Sequence, residues 1–324
     1  MKKILLVLTV FAILTSCSKN EVQITPELPV NIYAAGRGQN SSATMRQAVV
    51  WKNGVPTYLT DGTREGYAYS VFVKNNDVHV AGHEKNTNGI LEGKYWKNGV
   101  LQNLNINTTV GSTCVSVFVY NDDVYVLGTN NGAVVYWKNG VQNTVTGIGT
   151  AIPTSIVVTF NSVYVLVTEN NSVKVWKNGV ITTLSDGIKS DEAKSLCIEN
   201  GNVFVLAEET YNAQKKIKYW RSGVLTYLTS TSNNIYAFSI AVSNGNVCIG
   251  GIEANKAKYW LNGIPNNVSN STSNSVIYAL TYFNGTIYST GFDNGIMKFW
   301  ENATDLNITI TSVNNDPYSI FVAN

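Results

Sequence analysis

Apolar and polar residues alternate in short runs from residue 30 onward, and the runs recur with a period near 40. Seven Trp, at 51, 96, 137, 176, 220, 260 and 300, are spaced 45, 41, 39, 44, 40 and 40 residues apart. The phrase Trp-Lys-Asn-Gly-Val begins at Trp51, Trp96, Trp137 and Trp176, and looser versions begin at Trp220, Trp260 and Trp300. Small residues form one column, at Ser70, Ser116, Ser155, Ser195, Ser239, Ala279 and Ser319. Eight residues on from the first six stands a β-branched residue, Val78, Val124, Val163, Val203, Val247 or Ile287, and Ile32 matches them. Turn pairs such as Asn75-Asn76 and Asn284-Gly285 lie between the two columns, so each interval is a hairpin. A third strand ends at each Trp, Asn-Gly follows as a type I′ turn signal, and a fourth strand closes eight residues beyond.

A four-strand unit repeated at this period predicts an all-β chain, a seven-bladed β-propeller of four-stranded blades. The ends supply the seventh blade. The N-terminal repeat begins at its second strand, Val30 to Gly36, and Tyr318 to Val322 is a first strand with nothing after it. Pairing the C-terminal strand with the N-terminal blade closes the ring and leaves no exposed sheet edge there. The propeller therefore spans 30–324. Its second-strand phrase, as in Val124-Tyr125-Val126-Leu127-Gly128, resembles the kelch family, although only Gly250-Gly251 reproduces that family's Gly pair.

Length variation selects one face. From the end of the second strand to the next Trp the count is 15, 14, 9, 9, 13, 9 and 9 residues. The long connections, Arg37 to Ala48, His83 to Gly93 and Glu208 to Ile217, leave one face, and variable loops on a rigid scaffold are where binding resides. Candidate binding residues are Arg37, Arg46, His83, Glu84, Glu208 and Tyr211. Five repeats also pair an acid with a lysine: Glu84 with Lys94, Glu169 with Lys174, Glu209 with Lys218, Glu253 with Lys258 and Asp293 with Lys298. The other two repeats lose both, so the expectation is an intrablade ion pair rather than a metal ring.

The first 29 residues differ from the rest. Lys2 and Lys3 precede an apolar run from Ile4 to Leu14, too short to span a bilayer and shaped like a signal peptide over 1–16. Leu14-Thr15-Ser16-Cys17 resembles the lipobox of bacterial lipoproteins, which implies cleavage before Cys17 and lipidation of its thiol. Residues 17–29 then form a lipidated tether. The resemblance implies a protein held to the membrane of the cell envelope, at the outer membrane on its periplasmic side or at the cell surface.

Charge changes with that cleavage. The whole chain carries a formal +2, from 23 basic and 21 acidic side chains. Losing Lys2 and Lys3 leaves 21 of each, so the electrostatic footprint of nucleic-acid binding is missing. Two His and Cys114, Cys197 and Cys248 in unrelated columns argue against a metal site or a disulfide framework, and no cofactor motif appears. His79 occupies a column of aromatic residues and reads as a packed substitute. The chain therefore reads as a lipid-anchored binding scaffold for a protein or glycan partner. The alternative is an exported polysaccharide hydrolase or lyase with a carboxylate pair at the centre of the same face.

Overall fold

The computed structural model describes residues 30–228, 234–268 and 274–324. The signal peptide, Cys17 and the tether lie outside the described residues. Among the described residues twenty-eight strands form seven antiparallel four-stranded sheets. Blade 1 contains β1 (Asn31–Gln39), β2 (Gln47–Lys52) and β3 (Val55–Tyr58); blade 2, β4 (Gly66–Lys74), β5 (Asp77–Lys85), β6 (Leu91–Lys97) and β7 (Val100–Gln102). Blade 3 contains β8 (Ser112–Tyr120), β9 (Asp123–Asn130), β10 (Ala133–Lys138) and β11 (Val141–Thr144). Blade 4 follows with β12 (Ile152–Thr159), β13 (Ser162–Glu169), β14 (Ser172–Lys177) and β15 (Val180–Thr183). Blade 5 has β16 (Ser190–Glu199), β17 (Asn202–Tyr211), β18 (Gln214–Arg221) and β19 (Val224–Tyr227). Blade 6 has β20 (Ile235–Ser243), β21 (Asn246–Glu253), β22 (Lys256–Leu261) and β23 (Ile264–Asn267). Blade 7 has β24 (Ser275–Phe283), β25 (Thr286–Asp293), β26 (Ile296–Glu301) and the short β27 (Thr304–Asp305). The last strand, β28 (Val313–Ala323), pairs with β1 and completes blade 1, with Ile32 opposite Val322 and Ala34 opposite Ile320. The predicted closure is the observed one.

The repeated phrase has a structural cause. In six blades the Asn-Gly or Ser-Gly pair after Trp takes positive φ at both positions, as at Asn53 (49°) and Gly54 (84°), which matches the twist of the flanking strands. The Asn side chain does a second job. Asn53 Oδ1 accepts from the Ile32 N–H at 2.8 Å, Asn98 from Val78 at 2.8 Å and Asn139 from Val124 at 2.8 Å. Asn178, Asn262 and Asn302 repeat the bond to Val163, Val247 and Ile287, and Ser222 Oγ makes it to Val203. The turn of the outer hairpin thus ties down the start of the second strand in every blade.

The core lies between blades. Seven apolar clusters are found among the described residues, and each holds one Trp packed on the preceding blade. Trp96 of blade 2, for example, packs with Tyr33, Ala48 and Val50 of blade 1. Trp51 packs with Met297 and Phe299 of blade 7, and Ile320 and Val322 of β28 belong to the same cluster. Trp burial therefore supplies the blade-to-blade interface that a single sheet lacks.

Candidate funnel on the long-hairpin face

Each inner strand carries a β-bulge at the same place, and β28 has a second irregularity nearer its start. In blade 2, Ala68 pairs with Gly82 and Ser70 with Ala81, so Tyr69 is left without a partner. The same register shift falls at Val115, Thr154, Lys194, Phe238 and Tyr278, and in β28 at Tyr318. A bulge adds one residue to one strand and re-aims its side chain. All seven extruded side chains line a funnel of about 470 Å3 at the centre of the ring. Glycine accommodates the bulge on the second strand in five blades. A Cβ on Gly128 would lie 1.7 Å from the Thr113 carbonyl oxygen, and one on Gly82 would lie 1.9 Å from that of Tyr67.

Chemically the funnel has two sides. Blades 6, 7, 1 and 2 contribute Phe238, Tyr278, Tyr318 and Tyr69, an arc of rings from four consecutive blades. Phe238 and Tyr278 have centroids 5.2 Å apart, and Tyr69 and Tyr318 are 5.4 Å apart. Burial pushes the Tyr69 hydroxyl up to about 12 and raises those of Tyr278 and Tyr318, so all three stay protonated donors at neutral pH. Blades 3, 4 and 5 contribute Val115, Thr154 and Lys194. Lys194 Nζ is 2.7 Å from Glu192 and 3.3 Å from buried Glu208, which compensate its charge.

Beneath the arcs lies a narrower space of about 170 Å3, ringed by the small-residue column. Four of its serines stitch neighbouring blades. Ser319 Oγ accepts from the Val71 N–H at 3.3 Å, Ser70 from Val117 at 3.1 Å, Ser116 from Ile156 at 3.3 Å and Ser239 from Leu280 at 3.2 Å. Ser155 and Ser195 make no such bond to the next blade. Their hydroxyls sit under Thr154 and Lys194, on the polar side of the floor.

The residues expected in variable loops are placed differently from one another. Arg37 lies in β1 and donates from Nε to Asp316 Oδ2 at 2.6 Å and from Nη1 to the Tyr67 hydroxyl at 2.8 Å. Arg46, just before β2, meets the same Asp316 oxygen. His83 is in β5 rather than in a loop, buried, and packed against Tyr67 and Tyr69 at 4.9 and 5.1 Å. Burial pushes its pKa down to about 4. Of the six, Arg37 and His83 both meet Tyr67, beside the funnel residue Tyr69, and Arg46 joins Arg37 at Asp316. Glu84 also lies in β5, opposite Glu92 and half-buried, where burial raises its carboxyl. Glu208 lies in β17, where it accepts from the Ala237 N–H at 3.1 Å and holds Lys194. Tyr211 is exposed at the tip of that hairpin. The extra length of blade 5 is spent as strand: β17 and β18 run to a two-residue turn at Asn212 and Ala213, and Glu209 faces Lys216. Alternating side chains let added residues extend the ladder instead of looping out.

Three of the five expected ion pairs form: Glu169–Lys174, Glu209–Lys218 at 2.9 Å and Glu253–Lys258 at 2.5 Å. Lys94 bonds Glu92 at 3.1 Å instead of Glu84, because the lengthened β6 puts Glu92 on the same face two residues away. Lys298 bonds Asp305 at 2.5 Å instead of Asp293, because the outer strand brings Asp305 opposite Trp300. The blade 5 pair is not a surface pair. Lys218 is 4% exposed and also meets Asp191 at 2.7 Å, while Glu209 accepts from Lys189 at 2.9 Å and Tyr227 at 2.8 Å. His79 is buried and its Nδ1 lies 2.8 Å from the Tyr95 hydroxyl, in keeping with an aromatic position.

Tyr69, Phe238, Tyr278 and Tyr318, with Thr154 and Lys194, are the funnel residues that loop-length reasoning misses. Their signal is the column one residue before the small-residue column, four of whose seven members are aromatic. Simple alternation cannot say that both columns face the channel. The bulge makes it so.

No family model matches this chain, and no curated protein matches it. Solved structures share its fold at low identity. A "puromycin-hydrolyzing peptidase" of Mycobacterium tuberculosis matches over 85% of this chain and 50% of its own, with a TM-score of 0.53 and 9% identity. One of two "prolyl endopeptidases" matches over 91% of this chain and 50% of its own, with a TM-score of 0.52 and 11% identity. The chain thus spans about half the length of those two proteins. A chain of a nidogen/laminin complex aligns over 91% of this chain with a TM-score of 0.49 and 9% identity. At such identities the likeness is one of fold, and the fold is the β-propeller.

Proposed function

We propose that the protein is a lipid-anchored module of the cell envelope that binds a protein or glycan partner in the funnel of its long-hairpin face. The lipobox-like Leu14-Thr15-Ser16-Cys17 supports the anchor. The observation that carries the binding reading is the split funnel, with four aromatic rings on one side and, on the other, hydroxyls and a compensated ammonium among Val115, Ile152 and Pro153. Such a mixture of apolar wall and a few convergent polar groups is the mark of a ligand site. Among the described residues Glu192 is the one carboxylate lining the funnel, and it is bonded to Lys194. A glycosidase needs two carboxylates across its bond, so binding accounts for this centre better than hydrolysis does.

Capture of envelope material on the full lipidated chain tests the reading. Wild type should retain a partner that Tyr318→Ala and Phe238→Ala lose, while Lys97→Ala on the opposite face keeps it. Retention unaffected by the funnel variants would overturn the site. Metabolic labelling with a fatty-acid analogue should mark wild type and not Cys17→Ala.

A further inference from the structure

We infer that the ligand of the funnel is the ring of an uncharged sugar, stacked on the aromatic arc and hydrogen-bonded by the opposite wall. The inference rests on the binding reading above and names its ligand class. A pyranose ring is two-faced in the same way as the funnel. One side presents C–H groups in a flat apolar patch, and the rim presents hydroxyls that both donate and accept.

The aromatic arc suits the first side. Phe238, Tyr278, Tyr318 and Tyr69 are each partly buried and line the funnel, with Tyr67 stacked behind Tyr69 at 5.7 Å and Phe292 edge-on to Tyr278 at 5.9 Å, and electron-rich ring faces attract polarised C–H groups. The polar arc suits the second. Ser155 and Ser195 keep hydroxyls that the other serines of the column spend on the neighbouring blade, and Thr154 stands above them. Each serine hydroxyl gives one donor and two acceptor positions, the inventory a sugar hydroxyl needs, while Thr154 Oγ1 already donates to the Ala193 carbonyl at 3.5 Å and offers acceptor positions. Lys194 adds donors without adding net charge, because Glu192 and Glu208 flank it. Two residues before Tyr318, Asp316 engages both Arg37 and Arg46. A carboxylate-bearing sugar would have to compete with these acids for the same cations. The volume, about 470 Å3 above a floor space of about 170 Å3, falls in the range of ~300–1,000 Å3 usual for small-ligand sites.

Calorimetric titration of the full lipidated protein in detergent tests this, with cello-, manno-, malto-, xylo- and fully N-acetylated chitohexaose as neutral probes and oligogalacturonate as the acidic one. At least one neutral hexasaccharide should bind, with Tyr318→Ala and Phe238→Ala each weakening it ten-fold or more. Ser195→Ala should weaken it several-fold, and Lys97→Ala should leave it unchanged. The two aromatic variants lie on different blades, so a folding defect in one leaves the other, and Ser195→Ala touches no interblade bond. Oligogalacturonate binding in preference to every neutral probe, or no neutral probe sensitive to the funnel variants, would overturn the inference. If envelope capture still depends on Tyr318 and Phe238 in that case, the funnel remains a binding site and the sugar alone is wrong. If capture fails as well, the binding reading falls with it.

Discussion

Individual residues repeated in a column need not do the same work. Ser70 and Ser195 each stand four residues before the end of comparable inner strands, yet of the two only Ser70 bonds a neighbouring blade, its Oγ accepting from the Val117 N–H. Ser70→Ala should cost about 1–3 kcal/mol, because it leaves a backbone donor without a partner. Ser195→Ala should leave stability to urea unchanged, and the comparison separates stitching from lining. A second contrast lies in the lysine column. Lys218 is enclosed with Asp191 and Glu209, so Lys218→Ala should destabilise by about 3–5 kcal/mol by stranding buried charge. Burial raises the Glu209 carboxyl, but hydrogen bonds from Lys218, Lys189 and Tyr227 overcome it and hold the pKa at about 2. Folded Glu209 therefore binds its proton later than the unfolded chain does. Its contribution is complete above about 4.5, the ordinary value, and is lost as pH falls toward 2. Urea midpoints of Glu209→Gln should consequently fall less between pH 5 and 3 than those of wild type.

At the scale of the element, the bulge decides what the funnel displays. It turns the residue before each small inner-strand residue toward the channel, and it brings a carbonyl so close to the second strand that five blades use glycine there. Gly128→Ala should destabilise by about 1–3 kcal/mol through overpacking, since its Cβ would press on backbone that has no softer way to yield. Thermal melting measures this directly, and an unchanged midpoint would mean that the bulge tolerates a side chain. Strand order, the hairpin turns and the blade number were legible in the sequence, because the Trp-marked repeat recurs in register seven times. The bulge was not legible, since it shifts pairing by one residue without any residue type of its own. Blades 4 and 5 carry Val167 and Ala207 where the others have glycine, and they bulge all the same.

At the scale of the whole molecule, closure couples every blade to every other. Strand β28 places Ile320 and Val322 in the cluster between blades 7 and 1, and each is worth about 1.5–3 kcal/mol of burial. Deleting Tyr318 to Asn324 removes both and the β1 pairing together, so the domain should melt at lower temperature in one cooperative step. A truncated chain that melts like wild type would show the ring to be held without its velcro. By itself the sequence determined the repeat, the blade number and the source of the seventh blade, because local hydrophobic period and turn chemistry act within some 40 residues. The tertiary structure alone decided which side chains meet. Residues as far apart as Tyr69 and Tyr318 touch only when the ring closes, and Arg37 reaches Asp316 across 279 positions. Long-range contact of that kind has no signature along the chain, and the candidate ligand site is built from it.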